Sequence, residues 1–301
     1  MTDASAPISP EDILALDAPG ADRLLGRLEA SVPTWPPLAR LSTQGFREAI
    51  VFGDSHGDWH SVREVEHRFE SGGVARMLIG LGDYVDRVPG DCPHGSVANA
   101  LHLLALSAKY PDRVLLIQGN HEAARRIRAF PHDVPQEVEE LWGPDRSRYD
   151  RLMGLLERGP LAVVLPNGVY CAHAGFPLVS SSDQWAHAFD SLAEEGLLQL
   201  LWAECDVSRN RRGAGVPWGG RDLERFFRSN SLRIFLRGHD PDITGQPLFE
   251  GRCMTLQTTR VYQRFGGVIV ARVPLGHPLE SLRDVVIEHL SSEGQTYPVF
   301  D

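Results

Sequence analysis

Asp54 and His56 stand two apart in Ile50-Val-Phe-Gly-Asp54-Ser-His56-Gly, directly after three apolar residues. At the carboxyl edge of a buried strand, a carboxylate oxygen and an imidazole nitrogen at this spacing reach one point. Together they suit a hard-to-borderline divalent cation. The flanking glycines let the backbone turn where side chains would crowd the ion. One such string arises readily by chance, but the chain repeats the device. Met77-Leu-Ile-Gly-Leu-Gly-Asp83, Val114-Leu-Leu-Ile-Gln-Gly-Asn120, Val169-Tyr-Cys-Ala-His173 and Ile234-Phe-Leu-Arg-Gly-His239 each run apolar residues into an oxygen or nitrogen donor. Five such strand ends point to a shared metal site, because an accident would have to recur five times.

The elements that must position these residues are legible in the spacing. Strand Ala49–Gly53, an amphipathic helix near Trp59–Glu70, strand Arg76–Gly82, helix Ser96–Tyr110 and strand Val114–Gln118 alternate as βαβαβ. That alternation implies parallel strands with helices outside and donors converging at the carboxyl ends. Upstream, residues 1–9 read as disordered. Ser9-Pro10-Glu11-Asp12 then reads as a helix start, and a second helix, Gly20–Ala30, presents Leu24, Leu25 and Leu28 on one face. Trp35-Pro-Pro ends helical structure, and a loop leads to the first strand. Between Glu122 and Leu161 lies a charged, helix-prone insert with Arg125, Arg126, Arg128, Arg146, Arg148 and Arg151, expected as a cap beside the site. For any single one of these arginines a solvated helical face is the favoured reading over phosphate binding.

Leu161–Leu165 and Val169–His173, joined by Pro166-Asn-Gly168, read as a hairpin opening a second, mixed sheet. Helices near Gln184–Leu200 and Arg221–Ser229 follow, then strands Leu232–Leu236, Arg252–Gln257, Val268–Val273 and Val285–Leu290. The expected fold class is α/β, a sandwich of two mixed sheets flanked by helices. The expected organisation is an N-terminal helical segment, 1–46, packed on a catalytic domain, 47–301, with the insert near 122–160.

With 301 residues, 42% of them hydrophobic, the chain can bury one large core. Its net charge of −10, from 40 acidic against 30 basic residues, disfavours a nucleic-acid surface. Lys109 is the sole lysine, a compositional bias that makes each arginine weaker evidence of function. Cys92, Cys171, Cys205 and Cys253 lack CxxC spacing, so neither a zinc ribbon nor a redox pair is indicated, and a reduced cytosol suits them. The N-terminus lacks a basic-then-apolar leader and no apolar run approaches about 18 residues. The expectation is a soluble cytoplasmic protein without a membrane partner.

The order Gly53–Gly57, Gly82–Arg87, Gly119–Glu122, His173 and Arg237–His239 resembles the motifs GDxHG, GDxxDRG, GNHE, HGG and a terminal histidine of the calcineurin-like metallophosphoesterases. Within them it resembles the PPP family of serine/threonine protein phosphatases, of bacterial type, over about Ala49 to Val273. Val88 replaces a glycine of the pattern, as does Ala174, and Arg237-Gly-His239 stands for Arg-Ala-His. The resemblance implies a binuclear site: Asp54, His56 and Asp83 on one cation, and Asp83, Asn120, His173 and His239 on the other, with Asp83 bridging. The ions would be two divalent metals, manganese first, with iron or zinc as alternatives. It implies in-line attack on phosphorus by a hydroxide bridging the metals, with His121 as general acid and Asp86 as its partner.

Arg87 would grip the phosphate. Leu200–Asp206 and Arg212–Gly219 resemble the family's LLWSDP and RGxxxxFG segments, which selects Arg212 as a second phosphate ligand, with Arg209 and Arg211 adjacent in register. Tyr262 resembles a family tyrosine near the metals, which implies a third phosphate contact. The other histidines, His60, His67, His94, His102, His132, His187, His277 and His289, read as ordinary surface or core residues. The implied activity is hydrolysis of phosphoserine and phosphothreonine in proteins. Alternatives are hydrolysis of diadenosine tetraphosphate or another nucleotide, and an inactive phosphoprotein-binding scaffold. The expected partner is a phosphorylated protein or a small phosphorylated substrate, with no nucleic acid.

Overall fold

The computed structural model describes residues 8–42, 44–179, 182–190, 193–209 and 212–290. Residues 1–7 of the segment expected to be disordered, and Arg211, lie outside that range. At the N-terminus Ser9 caps α1 (Pro10–Leu14) by accepting from the Asp12 N–H, and Asp17 caps α2 (Ala18–Ser31) through Gly20 N–H at 2.8 Å. α2 buries Leu24, Leu25 and Leu28. A short strand, β1 (Leu38–Arg40), follows where a loop was expected. Only three residues long and led by two prolines, it carries no alternation that a sequence reading could detect.

The βαβαβ run is β2 (Glu48–Phe52), α3 (Trp59–Ser71), β3 (Arg76–Gly80), α4 (Gly95–Lys109) and β4 (Val114–Leu116). The insert forms α5 (Val134–Trp142) and α6 (Arg146–Leu156), and the hairpin forms β5 (Ala162–Val164) and β6 (Val169–Ala172). The single helix expected over Gln184–Leu200 is two, α7 (Ser182–Asp190) and α8 (Glu194–Leu201). Glu194 and Glu195 lie in the first turn of α8, where acids favour a fresh helix start. The chain closes with α9 (Gly220–Asn230), β7 (Ile234–Arg237), β8 (Cys253–Thr255), α10 (Gln263–Gly266), β9 (Ile269–Pro274) and β10 (Val286–His289).

One sheet has the order β10-β9-β2-β3-β4 and the other β1-β5-β6-β7-β8. β2, β3 and β4 run parallel, with Ile50 opposite Leu78 and Ile79 opposite Leu115, while β9 and β10 are antiparallel. Successive strand residues point to opposite faces. Ala49, Val51, Met77 and Ile79 therefore meet Val163, Cys171, Ile234 and Leu236 of the other sheet, whereas Ile50, Phe52 and Leu78 face the helical layer. Both faces are covered, which is why the strands read as continuous apolar runs. Trp185, Phe189, Phe226 and Phe227 cover the outer face of the second sheet. The insert joins the helical layer on α4 and α2. Arg148 pairs with Asp22 at 2.8 Å and Arg151 with Glu29 at 2.7 Å, tying α6 to α2, while Arg125 pairs with Glu157 and ties the turn after β4 to the end of α6.

Candidate active site

The donors leave the sheets at the ends of β2, β3, β4, β6 and β7. β2 ends against the segment after β8, where a Cβ on Gly53 would lie 1.9 Å from the Leu256 carbonyl oxygen, so only glycine passes. Asp54 then bridges to Gln257. Among the described residues nine non-glycine positions hold a left-handed φ, and five are His56, Asp83, Asp86, Arg87 and His239. Such conformations persist only where surroundings enforce them. Here Ser55 N–H and His56 N–H both donate to Asp83 O, at 3.0 and 2.9 Å. Buried Glu122 accepts from the N–H groups of Asp83, Tyr84 and Gly119 at 2.7–2.8 Å. Burial and then Asp83 push the Glu122 carboxyl up, while these donors push it down.

Asp54, His56, Asp83, Asn120, His173 and His239 converge and are all buried. Asp83 Oδ2 lies 3.8 Å from His56 Nε2 and 3.5 Å from His173 Nε2, and Asp54 Oδ2 lies 3.9 Å from His56 Nε2. His56 Nδ1 donates to Val85 O and His173 Nδ1 to Leu81 O, each at 2.9 Å, which leaves Nε2 of each neutral ring as a lone pair. Among the described residues His56 Nε2 has no hydrogen-bond partner. His173 Nε2 faces the Asn120 amide oxygen at 2.9 Å, acceptor against acceptor, an opposition that a cation relieves. Buried oxygen and nitrogen donors with one orphaned ring nitrogen therefore fit a pair of divalent cations. Burial pushes His56 down to about 3, keeping it in the neutral form that ligates. Burial raises Asp54 to about 6; at Asp83 burial is outweighed by His173, His121 and His56, which hold it below the usual carboxylate range.

His121 Nδ1 donates to Asp86 Oδ2 at 2.5 Å, while its buried Nε2 has no hydrogen-bond partner among the described residues and lies 4.0 Å from Asp83 Oδ2. Burial works against protonation of His121, but Asp83 and Asp86 outweigh it and raise the pKa. Arg87 Nη1 donates to the Tyr262 hydroxyl at 3.0 Å, and Phe130, largely exposed, accepts from Arg87 Nη2 through its carbonyl. Arg212 Nη1 donates to His239 Nε2 at 2.7 Å, so its guanidinium stands on the outer nitrogen of a donor ring whose Nδ1 faces Asn120 Oδ1 at 3.0 Å. Segments 200–206 and 212–219 pair with each other beside it, through Asp206 N–H to Trp218 O and Trp218 N–H to Glu204 O.

Two contributors go beyond the roles read from the sequence, although the first closes the Gly119–Glu122 motif. Glu122 is one, and His132, read as an ordinary histidine, is the other: its Nδ1 lies 2.9 Å from Asp86 Oδ2. Two of the three departures from the family pattern have local reasons. The Val88 methyls fill the space above Gly57 and Gly95, where added Cβ atoms would come within 2.7 and 2.5 Å of them. Nothing in the structure explains Ala174, whose carbonyl, as a glycine's would, accepts from buried Arg237 Nε at 2.7 Å. A Cβ on Gly238 would lie 2.1 Å from Asp54 Oδ1.

Two mixed sheets between helical layers, with oxygen and nitrogen donors for two cations at five strand ends, define a hydrolase of the metallophosphoesterase class. The chain belongs to the calcineurin-like phosphoesterase family, whose model matches residues 49–242. It is 29% identical over 256 residues to a protein phosphatase 2A catalytic subunit of Dictyostelium discoideum, covering 81% of this chain and 78% of the relative. It is 29% identical to a PP2A-like serine/threonine-protein phosphatase of Candida albicans over 70% of this chain, but spans only 51% of that longer relative. A solved structure of a serine/threonine phosphatase from Saccharomyces cerevisiae, described as similar to human phosphatase PP5, superposes with a TM-score of 0.68 at 22% identity. The superposition covers 93% of this chain and 89% of that one, and it shows the shared fold.

Proposed function

We propose that this chain is a metal-dependent phosphomonoesterase that hydrolyses phosphoserine and phosphothreonine in proteins. The observation that carries the proposal is one convergence: beside six buried donors stand His121, whose Nε2 has no partner among the described residues, and Arg87, bonded to a Tyr262 whose ring centroid lies 5.6 Å from that of His56. Asp54, His56 and Asp83 would hold one cation, and Asp83, Asn120, His173 and His239 the other, with manganese as the first candidate. Bound there, the two cations supply Lewis acidity, acidifying water and neutralising phosphate charge. Arg87 presents its planar fork to the phosphate oxygens, and Tyr262, by accepting from Nη1, sets the plane of that fork. Arg212 supplies a second cationic donor once its guanidinium turns from His239. His121 Nε2–H donates a proton to the departing serine or threonine oxygen, while Nδ1–H stays on Asp86 and fixes the tautomer.

The similarity to protein phosphatase 2A supports a phosphoprotein substrate. So does the pairing of segments 200–206 and 212–219 at the rim of the site. The deciding measurement is kcat/KM on phosphoserine and phosphothreonine peptides beside diadenosine tetraphosphate, with manganese in all assays. Peptides are the expected better substrates. A preference above about tenfold for the dinucleotide, about 1.4 kcal/mol of transition-state stabilisation, overturns the reading.

A further inference from the structure

Asp86 carries more partners than a carboxylate serving one histidine requires. Oδ1 accepts from Asp133 N–H at 2.7 Å, while Oδ2 accepts from His121 Nδ1 at 2.5 Å and from His132 Nδ1 at 2.9 Å. The far nitrogen of His132, Nε2, accepts from the Tyr149 hydroxyl of α6 at 2.9 Å. Asp86 is fully buried, and the His132 side chain is 16% exposed. The result is a continuous chain from the insert to the proton donor: Tyr149, His132, Asp86, His121.

We propose that His132 is a positioning residue for proton donation, aiming the Asp86 carboxylate so that Oδ2 stays on His121. The reason is geometric. A carboxylate held on one oxygen by Asp133 N–H can still rotate about that bond, and a rotation carries Oδ2 off the imidazole. A second donor on Oδ2, itself braced by Tyr149, removes that freedom. Around metal ligands, outer partners are worth about 10–100-fold in affinity or activity, and the low end of that scale is the expectation for a partner of the proton donor's carboxylate. A third metal among these groups is the competing reading, and the spacing disfavours it. Nitrogen and oxygen ligands about 2.0–2.2 Å from a tetrahedral ion lie about 3.3–3.6 Å apart, whereas Oδ2 stands at hydrogen-bond distance from both rings. A purely architectural role, pinning segment 130–133, is already filled by Asp133 N–H.

The inference rests on the phosphomonoesterase reading, and the test separates the two. Wild type, His132→Ala, His132→Asn and Tyr149→Phe are assayed with manganese on phenyl phosphate, whose leaving group needs a proton, and on 2,4-dinitrophenyl phosphate, whose leaving group departs as an anion. The expected result for His132→Ala is a kcat loss of about tenfold on phenyl phosphate with KM within about twofold. On the dinitrophenyl ester the loss is under about twofold, and metal content by elemental analysis is unchanged. His132→Asn, whose amide N–H stands near the place of Nδ1, recovers most of the loss, and Tyr149→Phe shows a smaller loss of the same leaving-group dependence. Equal losses on both esters, a shift in KM alone, no loss, or an asparagine variant no better than alanine overturns the proposal. An inactive wild type overturns the functional reading and this inference with it.

Discussion

Replacing His121 by asparagine should separate proton donation from folding. The Asn side-chain N–H stands near the position of imidazole Nδ1, so the bond to Asp86 Oδ2 is kept while Nε2, the group facing the donor cluster, is removed. Asp86 also keeps Asp133 N–H at 2.7 Å and His132 at 2.9 Å. A lost hydrogen bond to a buried charge costs about 1.5–3 kcal/mol, so a variant that retains all three should lose less than about 1.5 kcal/mol of stability. The kinetic loss is larger. A missing general acid is worth about 100-fold or more in kcat, which is at least about 2.7 kcal/mol of barrier. Turnover of a phosphoserine peptide and of p-nitrophenyl phosphate, beside metal analysis of the purified variant, provides the assay. The peptide should suffer the full loss and the nitrophenyl ester a much smaller one, with metal retained. Comparable damage on both substrates, or loss of metal, would refute the reasoning and make His121 a structural or phosphate-binding residue.

Asp83→Asn should abolish activity and weaken binding of both cations, because a neutral amide cannot span two dications as a carboxylate does; elemental analysis showing both metals retained with near wild-type turnover would sink the binuclear assignment. Glu137 provides a stability test away from the donors. Burial raises its carboxyl from 4.5 to about 7, against hydrogen bonds from Ser96 Oγ and Val97 N–H. Because the folded pKa is raised, the protonated form stabilises the fold fully below pH 4.5, and that contribution is lost as pH rises through 7. The loss amounts to about 3 kcal/mol at 1.36 kcal/mol per pKa unit. Glu137→Gln, uncharged throughout, should therefore gain stability relative to wild type between pH 4.5 and 8, read from urea midpoints, and a constant difference across that range would contradict the mechanism.

How much was legible differs from element to element. The runs before Asp54, Asp83, Asn120, His173 and His239 were readable because a strand buried on both faces needs uninterrupted apolar residues, and its abrupt end needs glycine. Strand β1 was not readable, because three residues after Pro36-Pro37 have no period. The break between α7 and α8 left only a pair of acids as a trace. The insert read correctly as helical and charged. That Arg125, Arg148 and Arg151 are spent on Glu157, Asp22 and Glu29 could not be read, since an arginine has the same local signature whether it holds phosphate or a neighbouring helix.

By itself, then, the sequence determined the kinds of donor, their order and the strand ends that carry them, because residue type and local periodicity are properties of a few neighbouring positions. Tertiary structure alone decided which atoms meet. Asp54 takes N–H groups from His239, 185 positions away, and Gln257, and His132 joins Asp86 across 46 residues. Glu122 braces the left-handed turn at Asp83 from the next strand. Contacts of this kind depend on sheet order and on the packing of side chains distant in the chain. Neither leaves a mark on the residues immediately before or after, so a histidine such as His132 reads as ordinary until the sheets and the insert bring it to the carboxylate it shares.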